Sequence, residues 1–298
     1  MGKNLLSECT VCPRKCKADR ANGKTGYCGA DEEIKIARAA LHFWEEPCIS
    51  GKSGSGTVFF SHCNMGCVFC QNYKISTLGE GRNITKNELY DTFMSLQEQG
   101  ANNINLVTPT HYIPQIVDVL KYAKNNGLKI PVLYNCGGYE NPDALRLLEG
   151  LIDIYLPDMK YFSDKYAILY SNAPKYFKTA KAAISEMYRQ VGKFVINKDG
   201  IMEKGLIVRH LLLPGLLFDS KKILDYLYKT YKDDIFISIM SQYTPMPQVC
   251  DIPKLCKKVD RKYYDTLINY AQNIGITNAF VQDEDAASES FIPEFFKD

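Results

Sequence analysis

From residue 57 onward the chain alternates short apolar runs with longer amphipathic segments, and no other feature narrows the fold as far. TVFFSHC (57–63), NINLVT (103–108), KIPVLYNC (129–136), LIDIYLPDMK (151–160), GLIVRHLLLPG (205–215) and IFISIMSQYTP (235–245) read as buried strands. Segments 86–100, 113–127, 141–150, 174–192, 220–231 and 260–275 place apolar residues at helical spacing. Several of them stop at glycine, and one opens on Asn141 and Pro142. Six strands alternating with helices imply right-handed crossovers and a parallel sheet. No glycine-rich phosphate loop follows the first strand, which disfavours a doubly wound nucleotide-binding sheet. The expected fold is therefore α/β, a partial (β/α)6 barrel of the TIM type. In such barrels the chemistry sits where strands end and loops begin.

Residues 1–56 read differently. They are rich in Cys, Gly and charge, with one strand or short helix expected at 33–43 and a flexible junction at GKSGSG (51–56). The expected division is a cysteine-rich extension over 1–56, the barrel over 57–285 and a tail over 286–298. A formal charge of +2 gives no electrostatic case for nucleic acid, and the lysine-rich helices read as solvated faces. No apolar run approaches the ~20 residues of a membrane span. MGKNLLSECT lacks the apolar core of a signal peptide, so a cytoplasmic protein is expected.

Eleven cysteines are many for such a protein, and the number is odd. A reducing compartment disfavours structural disulfides, so clustered thiols point to metal or cluster ligands. Cys63, Cys67 and Cys70 follow the first barrel strand in SHCNMGCVFCQN (61–72). Three thiolates on one loop suit a four-iron cluster with one iron left open; zinc with His62 as fourth ligand is the competing reading. Cys9, Cys12, Cys16 and Cys28 form a second set, spaced C-x2-C-x3-C-x11-C, and read as either a structural zinc or an auxiliary cluster.

The C-x3-C-x2-C loop after the first strand, with Phe69 before its last cysteine, resembles the radical S-adenosylmethionine (radical SAM) superfamily. CNMGCVFCQN is similar to the cluster loop of the glycyl-radical-enzyme (pyruvate formate-lyase) activating enzymes and of relatives with a cysteine-rich N-terminus. The resemblance runs over about residues 9–285. It implies that Cys63, Cys67 and Cys70 hold a 4Fe-4S cluster whose open iron chelates S-adenosylmethionine. It also implies reductive cleavage to a 5′-deoxyadenosyl radical, which abstracts hydrogen from substrate.

Other strand ends extend that likeness. VTPTHY (107–112) stands where the family usually has Gly-Gly-Glu, so Thr108 and Thr110 are the candidate contacts there, with helix capping the simpler role for Thr110 and His111. Asn135 is expected at the barrel mouth. Asp158 and Lys160 resemble the activases' Asp-x-Lys motif beside the methionine carboxylate, and a spacing of two on a strand points them to one side. RHLLLPG (209–215) carries Arg209 and His210; alternation turns only one inward, and His210 is the expected one. Gln242 and Tyr243 are weaker candidates for adenine or substrate. The implied partners are a one-electron donor such as flavodoxin or ferredoxin and a protein or peptide substrate, including a glycyl radical enzyme. The rival readings are radical modification of a small molecule and a non-catalytic iron–sulfur protein for electron transfer or sensing.

Overall fold

The computed structural model describes residues 2–282, so the expected tail over 286–298 lies outside the described residues. Ten strands form one sheet system: β1 (Ile34–His42), β2 (Ser55–Phe60), β3 (Arg82–Ile84), β4 (Ile104–Val107), β5 (Val132–Cys136), β6 (Ile154–Pro157), β7 (Val195–Ile196), β8 (Met202–Leu211), β9 (Phe236–Met240) and β10 (Ala279–Val281). The order is β10-β9-β8-β6-β5-β4-β2-β1-β3, with β7 beside β8. All neighbours from β2 through β10 along this path are parallel. This is the mixed α/β, parallel-dominated architecture of a partial TIM barrel.

All six expected strands are present, as β2, β4, β5, β6, β8 and β9. The short NAFVQD segment adds a seventh parallel strand, β10. At the other end β1 pairs antiparallel with both β2 and β3. The stretch before residue 56 thus contributes a nine-residue strand to the sheet.

The helices begin where the local chemistry directs. Thr85 and Glu88 make a reciprocal capping box at the start of Lys86–Glu98. Asn141 accepts from the Asp143 amide ahead of the short Pro142–Leu145 helix, and Asp260 caps Arg261–Asn273. Ile113–Asn125, Tyr176–Val191 and Leu217–Tyr231 complete the principal outer layer. Among the described residues no helix is long and apolar enough to cross a membrane.

Two layers of side chains fill the fold. Helix-facing residues make a large outer core. A small inner core of Cys48, Ile49, Leu133, Ile154, Leu156, Met202 and Ile207 closes the bottom of the barrel. The strand register extends the inner face upward. Val107 is level with Asn135, Asp158 bridges to Arg209, and Arg209 is level with Ser238. Side chains alternate along a strand, so Arg209 turns inward and His210 outward. This corrects the expectation for His210. Its ring lies buried on the outer face, with Nδ1–H donating to the Met159 carbonyl at 2.7 Å.

Burial holds the His210 ring at a pKa of about 4, well below the ordinary histidine range near 6.5. Between those values the unfolded chain binds a proton that the folded chain refuses. The stability this group contributes is complete above pH 6.5 and is lost as pH falls toward 4. Urea unfolding should therefore show wild type losing about 2 kcal/mol more than His210→Asn between pH 7 and 4.5.

Candidate active site

The three clustered cysteines leave β2 on a loop held by its neighbours. The amides of Gly66 and Val68 donate to the carbonyls of Ser171 and Tyr170, at the end of the Asp164–Ser171 helix. The Asn64 side chain donates to the Tyr139 carbonyl at 2.5 Å. Each thiol then has a fixed neighbour. The Met65 amide donates to Cys63 Sγ at 3.4 Å, Ser171 Oγ donates to Cys67 Sγ at 3.0 Å, and Cys70 Sγ lies 3.2 Å from Ser76 Oγ. Sequence reasoning missed both serines, because their sulfur contacts depend on chain reversal and tertiary packing rather than on a motif.

All three cysteines line one cavity of about 370 Å³ at the strand ends. Phe69, Thr108, Asn135, Asp158 and Lys160 line it too, as the sequence led one to expect. Phe69 packs edge-on against Tyr243, with ring centroids 6.1 Å apart. Thr108 holds φ at +59°, a left-handed conformation that costs a β-branched residue energy. That strain sits at the mouth of the site, directly after β4. Thr110 is not in the cavity. It lies on the outer face, donating to Glu140 Oε1 at 2.8 Å, and it does not cap the following helix. Glu140, which also accepts from Tyr134, is raised to about 7 by burial.

Asp158 and Lys160 form an ion pair inside the cavity. Burial would lower the lysine's pKa, but the Asp158 carboxylate and the nearby Cys67 reverse this and hold it above the ordinary range. Their strand end is locked by Tyr176. Its hydroxyl accepts the Lys160 amide at 2.9 Å and stands 2.9 Å from both the Gly137 and Asp158 carbonyls. Gly137 and Gly138 make the close approach possible. A Cβ on the first would lie 2.7 Å from Met65 Sδ, and on the second 2.1 Å from the Asp158 carbonyl oxygen. Neither Tyr176 nor this glycine requirement was apparent in the sequence.

The segment between β1 and β2 packs on the barrel mouth. His42, Trp44, Glu45 and Glu46 all line the cavity. Arg209 reaches across from β8, donating to Glu46 at 2.7 and 2.6 Å and to Glu45, which also accepts from Asn105 at 2.8 Å. Burial alone would raise the Glu46 carboxyl, yet Arg209 holds it below the usual carboxylate range. Trp44 lies 64% exposed at the rim.

The thiols fit a metal cluster chemically. Burial pushes all three up, Cys67 to about 11, so a proton must be displaced before a thiolate forms; a metal does this directly. Among the described residues no three Cys, His, Asp or Glu side chains are already drawn into ligating distance, so a bound metal would gather them. All eleven cysteines are free thiols. Cys9, Cys12, Cys16 and Cys28 lie outside the cavity, in the segment before β1.

Comparison with known proteins bears on this site. The model of the radical SAM superfamily matches residues 57–227. An uncharacterised protein of Methanocaldococcus jannaschii is 26% identical over 285 residues, covering 93% of this chain and 78% of that protein. A second protein of the same organism, named as a candidate glycyl-radical enzyme activating enzyme, is 26% identical over 232 residues, covering 73% of this chain and 89% of its own. Among solved structures, Streptococcus suis SuiB bound to S-adenosylmethionine aligns over 75% of this chain and 49% of its own, with TM-score 0.52 and 13% identity. SuiB bound to the precursor peptide SuiA aligns over 75% and 47%, with TM-score 0.51 and 14% identity. The chain spans about half the length of those solved chains, and at such identity the likeness is one of fold.

The buried ion cluster should be sensitive to losing one partner. Arg209→Met leaves two buried carboxylates facing each other and should destabilise the protein by about 3 kcal/mol in denaturant unfolding. Adding Glu45→Gln and Glu46→Gln to that variant should restore most of the loss.

Proposed function

The chain belongs to the radical SAM superfamily, and from that premise we propose that it abstracts hydrogen from a protein or peptide substrate, as an activating enzyme of a glycyl radical enzyme does. Membership implies a 4Fe-4S cluster and S-adenosylmethionine. Bound here, the two together would supply one-electron reductive cleavage of the sulfonium, with methionine as the leaving product and a 5′-deoxyadenosyl radical as the hydrogen abstractor. Cys63, Cys67 and Cys70 would hold the cluster, leaving one iron for the amino acid end of S-adenosylmethionine. Lys160, kept charged and oriented by Asp158 and Tyr176, would receive the methionine carboxylate. Asn135 and the main chain at Thr108 would position the rest, and Phe69 with Tyr243 would supply an apolar wall. A one-electron donor such as flavodoxin or ferredoxin would supply the electron.

The observation that favours a macromolecular substrate is the cavity's position between the two ends of an open sheet. Trp44, beside β1, and Phe280, Val281 and Gln282, at β10, line the same space. Trp44 and Val281 are both more than half exposed, giving the mouth an apolar rim that a polypeptide loop can cover. The relative named as a candidate activating enzyme points the same way.

Anaerobic protein reconstituted with iron and sulfide, then given dithionite and S-adenosylmethionine, should form 5′-deoxyadenosine. The Cys63→Ala/Cys67→Ala/Cys70→Ala variant should form none, and Lys160→Met should be slower by about a hundredfold. With a glycyl radical enzyme from the same source, electron paramagnetic resonance should show a glycyl radical. Deoxyadenosine without that signal would exclude the activating role while leaving the radical chemistry standing.

A further inference from the structure

The segment before β1 carries four cysteines, of which Cys9 and Cys12 are buried, Cys28 is half-buried and Cys16 is exposed. Cys9 exchanges main-chain hydrogen bonds with Lys17 and Ala18, and Lys15 closes a turn onto the Cys12 carbonyl. Lys15 and Lys17 both adopt positive φ, at 43° and 57°, conformations that non-glycine residues hold only under tertiary constraint. The Gly26–Gly29 turn brings the last cysteine back. A Cβ on Gly26 would lie 2.2 Å from Cys16 Sγ, so that sulfur rests against the turn carrying Cys28.

Arg20 supplies an independent observation. It is fully buried, and among the described residues no carboxylate pairs with it. Its donors go to the Asp31 carbonyl at 3.1 and 2.7 Å, to the His111 carbonyl at 2.7 Å, and toward Cys9 Sγ at 3.8 Å. A guanidinium cannot shed its proton, and a buried charge without a counter-charge is costly. Neutral thiols leave that charge uncompensated. A metal tetrathiolate is a net dianion and offers sulfur acceptors where Arg20 points.

We propose that Cys9, Cys12, Cys16 and Cys28 hold a second metal centre as a tetrathiolate paired with Arg20, and that filling it fixes the catalytic cysteine loop. The contacts that would transmit the effect are present. Arg14 Nε donates to the Asn64 carbonyl at 2.9 Å, with its guanidinium 3.6 Å from the Tyr27 ring centre. Tyr27 fills the space beside Gly66, and a Cβ on Gly29 would lie 3.1 Å from His62 Nδ1, so that ring rests against the turn carrying Cys28. Asn64, Gly66 and His62 belong to the loop bearing Cys63 and Cys67. Zinc and an iron–sulfur cluster present the same ligand chemistry to this set.

The test uses full-length protein with Cys63, Cys67 and Cys70 replaced by Ser, prepared anaerobically either with zinc or with iron and sulfide. Dialysed protein should retain stoichiometric zinc in the first arm, or iron with acid-labile sulfide in the second. Adding Cys12→Ser and Cys28→Ser should abolish retention. Absence of retained metal in both arms, or retention indifferent to the added substitutions, overturns the site. In the same background Arg20→Met should release metal to a chelator about tenfold faster, with Arg20→Lys closer to wild type. Equal release rates would remove Arg20 from the site. With the catalytic cysteines intact, Cys12→Ser/Cys28→Ser should lower iron bound at the catalytic loop; unchanged loading would overturn the coupling.

Discussion

A parallel strand sends only every second side chain to the inside of its sheet, and this constraint decides which groups meet in the cavity. Val107, Asn135, Asp158, Arg209 and Ser238 share the inner face because register aligns them across β4, β5, β6, β8 and β9. A slip of one residue in β8 would exchange a guanidinium for an imidazole inside the barrel. Such a slip is opposed from both sides. Outside, His210 is anchored to the Met159 carbonyl, and inside, Arg209 is anchored to Glu45 and Glu46. The same side chains that fix the register therefore also fix the electrostatics of the site.

Those electrostatics fall into two parts. Around the cluster loop, Lys160 stands among thiols and Asp158, so a positive charge is held beside the place where thiolates would form. Across the cavity, Arg209 balances two carboxylates carried by the β1–β2 connection. Pairing makes burial of these charges tolerable, and it ties the N-terminal segment to the far side of the barrel. The connection is thus a wall of the site as well as a covalent link between strands.

The alternating pattern made the barrel legible, because each strand is a short apolar run bounded by turn residues and several helices open on a capping residue or a proline. The three-cysteine loop was legible as a candidate from its spacing and its place after a strand, and the structure puts all three thiols on one cavity. His210 misled because both neighbours in Arg-His are plausible ligands, and only the bridge from Asp158 to Arg209 settles the phase of β8. Thr110 misled because the left-handed turn at Thr108 redirects the chain after β4, sending the second threonine to Glu140. Tyr176 and Ser171 act across the tertiary fold, Ser76 meets Cys70 through a local reversal of the chain, and no sequence pattern marks any of them. Nothing local marks Glu45 and Glu46 as partners of an arginine 163 residues from Glu46.

The order of assembly follows from the same contacts. Burial raises every thiol of the cluster loop, so the loop has no intrinsic tendency to present thiolates before metal arrives. Its shape must therefore come from outside. One side is supplied by the Asp164–Ser171 helix, through main-chain bonds to Gly66 and Val68. The other is supplied by Arg14 and Tyr27, which belong to a segment with a buried, permanently charged arginine at its centre. An apolar core cannot neutralise that arginine. A thiolate-rich centre can, and doing so would turn a short irregular segment into a rigid support for the loop that bears Cys63, Cys67 and Cys70.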